Sequence, residues 1–331
     1  MTFYRWLKTL TLSYLFLTLT ATAGFRLFGP DIDYLHYLGL FNHEPHLQGE
    51  TKEPSFLFLR YIFSTFFNEA GFQWLLLTYA ILGIGIKLYA IGRLSENWIY
   101  SIWVYLLIYF PLHDYTQIRV GVAVGIILLS LPDIVNGNRL QFFIKTGLAV
   151  TFHWSALAAL PFYSLRKKPL FALILVAFFS FLAIPFQKSI LLGVEYFISL
   201  SEPLSIYYRA HSGHFEDFRI FNIIFLLNIT LFLCAFWLFI KGKISNKIDN
   251  LPSLFTAIHA LSIFIYLFFS VLDRPVISFR LSELYFAVSV FSIPCFSRLS
   301  GRNTIIKLTL FALPLIYTWH LLFRVNIFPS L

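Results

Sequence analysis

The sequence predicts an all-α, polytopic integral membrane protein, and three observations carry that prediction. First, 58% of the 331 residues are hydrophobic and only 12% are charged, with a mean hydropathy of +0.75; soluble domains carry about 25% charged residues. Second, the apolar runs are long and continuous, where a β-barrel would alternate over short segments. Third, the basic residues gather in short clusters between those runs: Arg5/Lys8, Arg166-Lys167-Lys168, Lys241/Lys243/Lys247 and Arg298/Arg302/Lys307. Such clusters mark cytoplasmic loops. The net charge of +9 is therefore a topology signal, and nucleic acid is not an expected partner. Cys234 and Cys295 sit within apolar runs, far from any CxxC spacing, which excludes a disulfide framework or zinc site and leaves them as small buried hydrophobes.

Taken in order, apolar runs of membrane-spanning length fall near 6–25, 72–92, 97–112, 116–132, 139–163, 169–187, 220–240, 252–272, 281–297 and 304–323. Residues 55–68 and 188–200 are shorter and fit steep spans, re-entrant pieces or interfacial helices. The expected count is about ten or eleven spans, in a single transmembrane domain over 1–331 with outer loops near 26–54 and 201–219. Ala21-Thr22-Ala23 resembles a cleavage site. The preceding run nevertheless exceeds the usual signal h-region, so it is expected as a retained first helix. No internal repeat or low-complexity segment is evident.

Lysine and arginine bias sets the orientation. Arg5 and Lys8 place the amino terminus inside, so the loop 26–54, with its acidic surplus, faces outward. The loop 201–219 and the Asp273-Arg274-Pro275 turn share that outer side. The middle does not close: Lys87 and Arg93 read as cytoplasmic, and so does Arg166-Lys167-Lys168, yet simple alternation cannot satisfy both. One segment between 55 and 163 must fail to cross.

An ionisable side chain in a membrane span costs at least a few kcal/mol and is a functional candidate by default. Asp31-x-Asp33 in the first outer loop suits a divalent cation, a general base or sugar hydroxyls; an Asp-x-Asp is also common in polar loops. Glu53-Pro54 suits helix initiation, with proline in the first turn and an acid at the positive dipole end, and a catalytic role is compatible with that. Arg119 follows His113-Asp114-Tyr115-Thr116-Gln117-Ile118 and opens a run containing Gly121, Ala123 and Gly125. It could snorkel to the interface, or fork onto two oxygens of a pyrophosphate. His153 lies deep in 139–163; a lone histidine there is commonly a core residue, although imidazole also binds phosphate or relays protons. Arg209 and His211 stand among aromatics in the second outer loop, a composition shared by carbohydrate sites and aromatic belts. Arg274 borders the last outer turn, and Arg280 and Glu283, three apart, share a helix face and can pair. No His/Cys partner stands at metal-ligand spacing, so no metal is expected.

Phe25-Arg26 with Gly29, Asp31, Asp33 and Tyr34, then Glu53-Pro54-Ser55-Phe56, Gln117-Ile118-Arg119, Phe152-His153 with Ser155-Ala156-Leu157, and Arg280-Leu281 with Tyr285-Phe286 occur in that order. In order and spacing the chain resembles the EpsG-type members of the Wzy polysaccharide polymerases, over about residues 24–286. The resemblance implies a bacterial inner-membrane enzyme with a GT-C-like architecture. Such an enzyme joins oligosaccharide repeat units carried on undecaprenyl pyrophosphate at the periplasmic face, without a cofactor or metal. Arg26, Asp31, Asp33, Glu53, Arg119, His153 and Arg280 match its motif positions. Two departures stand out: the usual Arg-Gln pair is Arg119-Val120 here, and Phe28 and Pro30 are inserted around Gly29. The implied partners are the lipid-linked oligosaccharide, membrane lipids and a chain-length regulator.

On this reading Asp31, Asp33 or Glu53 serves as base. Arg26, Arg119, His153, Arg209, His211, Arg274 and Arg280 bind pyrophosphate and glycan, and the anomeric carbon is inverted. A polyprenyl-phosphate-sugar transferase or O-antigen ligase would use the same acidic loop. A transporter or flippase of lipid-linked glycans would place charges through the bilayer midplane and often shows inverted repeats, which the sequence lacks.

Overall fold

Long apolar runs without water to bond their backbone must close their hydrogen bonds internally, which makes them helices. The computed structural model describes residues 2–43, 53–166, 222–245, 250–272 and 275–328, with isolated positions between 185 and 196. It is 85% helical, with no strand among the described residues. Most of the expected span 169–187 and of the run 188–200, the whole loop 201–219 with Arg209 and His211, and Arg274 lie outside the described residues.

The helices are α1 (Thr2–Gly24), α2 (Tyr34–Phe41), α3 (Pro54–Phe66), α4 (Gly71–Leu94) and α5 (Trp98–Val104), the last continuing as π-helical turns through Tyr105–Thr116. After these come α6 (Ile118–Asn136), α7 (Arg139–Phe152), a 3-10 segment (Trp154–Ala159) and α8 (Pro161–Leu165). The carboxyl-terminal part holds α9 (Ile223–Ile240), α10 (Leu251–Val271), α11 (Pro275–Phe286), α12 (Ser289–Leu299) and α13 (Thr304–His320, then π-helical to Val325). Among the described residues five helices are long and apolar enough to cross a membrane, six if the bent pair α11–α12 is one span. That is fewer than the expected ten or eleven. The gap falls at 169–187, most of which is undescribed, at 139–163, which is not one helix, and at 6–25 and 97–112, whose helices are not among those six.

Contacts between helix ends sort the structure into two ends. At one, Trp98 donates to the Tyr4 hydroxyl (2.6 Å) and Lys8 bonds the Gly92 carbonyl, joining the start of α1 to the end of α4; Arg298 at the end of α12 pairs with Glu96 there. At the other, Gln73 at the start of α4 bonds the Gly24 carbonyl at the end of α1. The Ile32 amide donates to the Ile327 carbonyl past α13 (3.3 Å). Lys241, Lys243 and Arg302 line one hollow with Arg298, so they share a basic end with Arg5, Lys8 and Arg93, and the loop carrying Asp31 and Asp33 lies at the opposite, acidic end.

This arrangement resolves the topology conflict. Helix α3 begins at Glu53 beside the start of α6 and ends at Phe63–Phe67, packed on Gly71 at the start of α4. Both its ends are at the acidic end. A helix whose two ends lie at the same end of the structure does not cross. The expected span 139–163 is also not one helix. Helix α7 climbs from Arg139 to His153, and the 3-10 segment and α8 return. Tyr163 then donates to the Gly137 carbonyl (3.2 Å), and the Arg166 guanidinium lies against Gly137 at the far end of α6. With α3 not crossing and 139–166 forming a hairpin, Arg93 and Arg166 fall on the same end.

Lys87 is a third correction. It belongs to no loop; it is 2% exposed inside α4, so it carries no topological information. The small residues of α6 do allow close packing as expected, since a Cβ on Gly125 would stand 3.0 Å from Ile86. Helices α11 and α12 bend by 52°. Tyr109 donates to the Phe286 carbonyl freed at the break (2.8 Å). Beside it His259 bridges Asn228 (2.9 Å) and Ser292 (2.8 Å), polar glue between helices in an apolar setting. Both cysteines are free.

Candidate functional site

The acidic end is built around two carboxylate–arginine contacts. The first lies in the loop after α1. Arg26 adopts φ +50°, a left-handed conformation that costs a β-carbon-bearing residue about 1 kcal/mol or more. The turn is held there by Tyr115, whose hydroxyl donates to the Gly29 carbonyl and accepts from the Phe28 amide, both at 2.9 Å. Arg26 in turn donates to the Tyr115 carbonyl and lies over its ring at 4.8 Å. Asp31 Oδ2 is 3.4 Å from Arg26 Nη1, and Oδ1 accepts the Asp33 amide (2.9 Å). Burial lifts the Asp31 carboxyl to about 6, against the opposing pull of Arg26. Burial likewise lowers Arg26, with Asp31 resisting.

Asp33 precedes α2 yet makes no capping bond to it. Burial raises its carboxyl above the usual range, opposed first by Arg280, then His36 and Arg119. Of the groups acting on Asp33, Arg280 belongs to α11 and Arg119 to α6, elements far apart in sequence, while His36 and Arg26 lie near it in the chain.

Glu53 carries the second contact. It stands at the N-cap of α3 with Pro54 following, as the helix-initiation reading expects, but its side chain makes no cap bond. Oε2 instead accepts from Arg119 Nη1 at 2.8 Å. Both side chains are nearly closed to solvent, Arg119 at 12% and Glu53 at 6%. Arg119, in the first turn of α6, lies over the rings of Tyr37 (5.4 Å) and Phe56 (5.5 Å) and hydrogen-bonds Tyr37. It does not snorkel out; an aromatic box holds it.

His153 departs from expectation. It is not inside a helix: α7 ends at Phe152, and His153 is extended at φ −157°, ψ 130°. Its Nδ1 accepts the Ser155 amide (3.1 Å), which puts the ring proton of the neutral form on Nε2. That nitrogen faces Glu53 Oε1 at 4.0 Å. A helix break thus turns a core histidine into a site residue.

Arg280 pairs with Glu283 as its three-residue spacing suggests, at 3.4 Å. Glu283 also accepts from Tyr317 (3.4 Å) and hydrogen-bonds Gln117, tying α11 to α13 and to the start of α6. Arg26, Asp31, Asp33, Glu53, Arg119, His153 and Arg280 therefore gather at one end, while Arg209, His211 and Arg274 lie outside the described residues. Sequence reasoning missed Tyr37 and Tyr115, which hold the two arginines. Their only signal was an aromatic among neighbouring polar residues, in a chain whose 331 residues are 20% aromatic.

A hydrogen-bonded Glu53–Arg119 pair with His153 4.0 Å from the glutamate, beside two carboxylates of raised proton affinity, is suited to handling an anion and moving a proton. A family model, described as the EpsG family, matches residues 9–329. No curated protein and no solved structure matches the chain. This all-α, multi-pass membrane protein belongs to the EpsG family, a Wzy-type polymerase-like family, which gives it a polysaccharide polymerase-like role.

Proposed function

We propose that the protein joins oligosaccharide repeat units carried on undecaprenyl pyrophosphate, working at the outer face of a bacterial inner membrane. The observation that carries this reading is the Glu53–Arg119 contact, closed by His153 and flanked by Asp31–Arg26 and by Asp33 facing Arg280. Carboxylates alone would suit many sugar or metal sites. Carboxylates interleaved with arginines from separate helices suit a reaction in which a hydroxyl loses a proton while a pyrophosphate gains charge.

In this scheme the acceptor sugar hydroxyl attacks the anomeric carbon of the donor. A new C–O glycosidic bond forms, the C–O bond to the pyrophosphate breaks, and configuration inverts. The hydroxyl proton passes to a carboxylate, and the polyprenyl pyrophosphate departs with the bonding electron pair. Asp33 is the best-placed base, because Asp31 and Glu53 are each engaged by an arginine, and burial raises its proton affinity toward working pH. Arg119, Arg280 and His153 stabilise the leaving group. Arg209, His211 and Arg274, expected on the same side, would add to the glycan or pyrophosphate contacts. Orientation follows from the positive-inside rule, with the basic end in the cytoplasm.

Purified protein given lipid-linked repeat units should build a ladder of products, and should do so in EDTA. A single addition would favour a transferase or ligase. Movement of the lipid-linked glycan across vesicle membranes without any new bond would favour a flippase.

A further inference from the structure

Lys87 and Asp114 are buried in the helical core, away from the carboxylate–arginine contacts. Lys87, in α4, is 2% exposed, Asp114 3% and Tyr105 0%. Lys87 Nζ donates to Asp114 Oδ1 and to the Gly121 carbonyl, both at 2.6 Å. Tyr105 donates to Asp114 Oδ2 at 2.7 Å. Room for the carboxylate is made by glycines: a Cβ on Gly83 would collide with Asp114 Oδ1, and one on Gly121 would stand 2.7 Å from the His113 carbonyl and 3.1 Å from Asp114 Oδ1.

The position of this cluster is informative. The π-helical turns end at Thr116, Gln117 leaves the helix at φ −87°, ψ 62°, and α6 starts at Ile118. Lys87 holds the chain on both sides of that junction, through Asp114 before it and Gly121 after it. Arg119 lies within the bracketed segment. So does Tyr115, whose carbonyl and ring hold Arg26. A buried ion pair is weak evidence for stability, since apolar residues of similar size often replace one at no loss. Its worth here is geometric.

We propose that Lys87, Asp114 and Tyr105 form a positioning site that fixes the helix junction and thereby sets Arg119 and Arg26 against the substrate pyrophosphate. The inference rests on the polymerase reading for its kinetic consequence and on none of it for its structural one.

The test compares two ion pairs. Lys87→Met with Asp114→Leu removes the junction pair. Lys145→Met with Asp133→Leu removes a second lysine–aspartate pair (2.6 Å) on α6 and α7 and serves as the control. Hydrogen–deuterium exchange over peptides spanning 113–121 should quicken about tenfold or more in the first variant and stay unchanged in the control. On lipid-linked repeat units kcat/KM should fall by about 10²-fold, the scale of a misplacement near 1 Å, and adding Arg119→Lys should bring little further loss. Tyr105→Phe, which removes one hydroxyl, should show the same pattern more weakly if the double variant does not fold. Unchanged exchange over 113–121, or losses that simply add to those of Arg119→Lys, would overturn the proposal. A wild-type protein inactive on every lipid-linked substrate would remove the polymerase reading and leave the exchange result to stand or fall alone.

Discussion

Replacing Glu53 by leucine should destabilise the protein by about 3–5 kcal/mol, because it leaves the Arg119 charge buried without its partner. The contact is 2.8 Å long between side chains only 12% and 6% exposed. Charge centres about 4 Å apart at an effective dielectric of about 20 attract by about 4 kcal/mol, in keeping with that range. Glu53→Gln keeps an oxygen for Arg119 to bond and loses only the charge-assisted share, about 1–2 kcal/mol. Glu53→Leu with Arg119→Leu should recover most of the stability that the single variant loses, since neither charge is then stranded, yet should not polymerise. The assay is reversible unfolding in mixed micelles at rising denaturing-detergent fraction, followed by tryptophan fluorescence. A cost below about 1 kcal/mol for Glu53→Leu would match an exposed surface pair and refute the closed Glu53–Arg119 contact.

Further outcomes follow from the same geometry. With Asp31 raised from 3.8 to about 6 in the folded protein, the folded state holds the extra proton between those values. Its stabilising contribution is complete below pH 3.8 and is lost as pH rises through 6, about 3 kcal/mol in all. Asp31→Asn should flatten that part of the stability–pH curve, and an unaltered curve would assign the effect elsewhere. Asp33→Asn should lower kcat by about 10²–10⁴-fold, the range for loss of a general base, with KM little changed; a loss confined to KM would make Asp33 a binding residue. Gly83→Ala should destabilise the protein through its collision with Asp114, by about 1–3 kcal/mol as overpacking does. That cost should shrink in a Lys87→Met, Asp114→Ala background, which removes the carboxylate without stranding the lysine charge, and an equal cost there would place the strain elsewhere.

The helical membrane class was legible because hydrocarbon admits little else: long apolar runs and clustered lysines and arginines report it directly. Span counting was less legible. The run 139–163 is apolar from end to end, and nothing in its composition says that the helix stops at Phe152 and returns; the break is fixed by His153 bonding the Ser155 amide and by Tyr163 reaching Gly137. Lys87 misled for a related reason. A lysine in an apolar run reads equally as a loop boundary or a buried cation, and only the packing of Asp114 against Gly83 and Gly121 decides between them. The site residues were legible singly, as ionisable groups out of place in lipid. Their partners were not: Glu53 and Arg119 are 66 positions apart, and that closeness arises because α3 turns back at the acidic end without crossing. Residue types gave the chemistry, and long-range packing chose which acid meets which cation.

Product ladders from variants of the two ends report whether the acidic end performs glycosyl transfer. Wild type and Arg302→Ala, a substitution at the basic end, should build long products from lipid-linked repeat units in nanodiscs. Arg119→Ala and Asp33→Asn should build none. A full ladder from both acidic-end variants, or its loss only in Arg302→Ala, would place glycosyl transfer away from the acidic end.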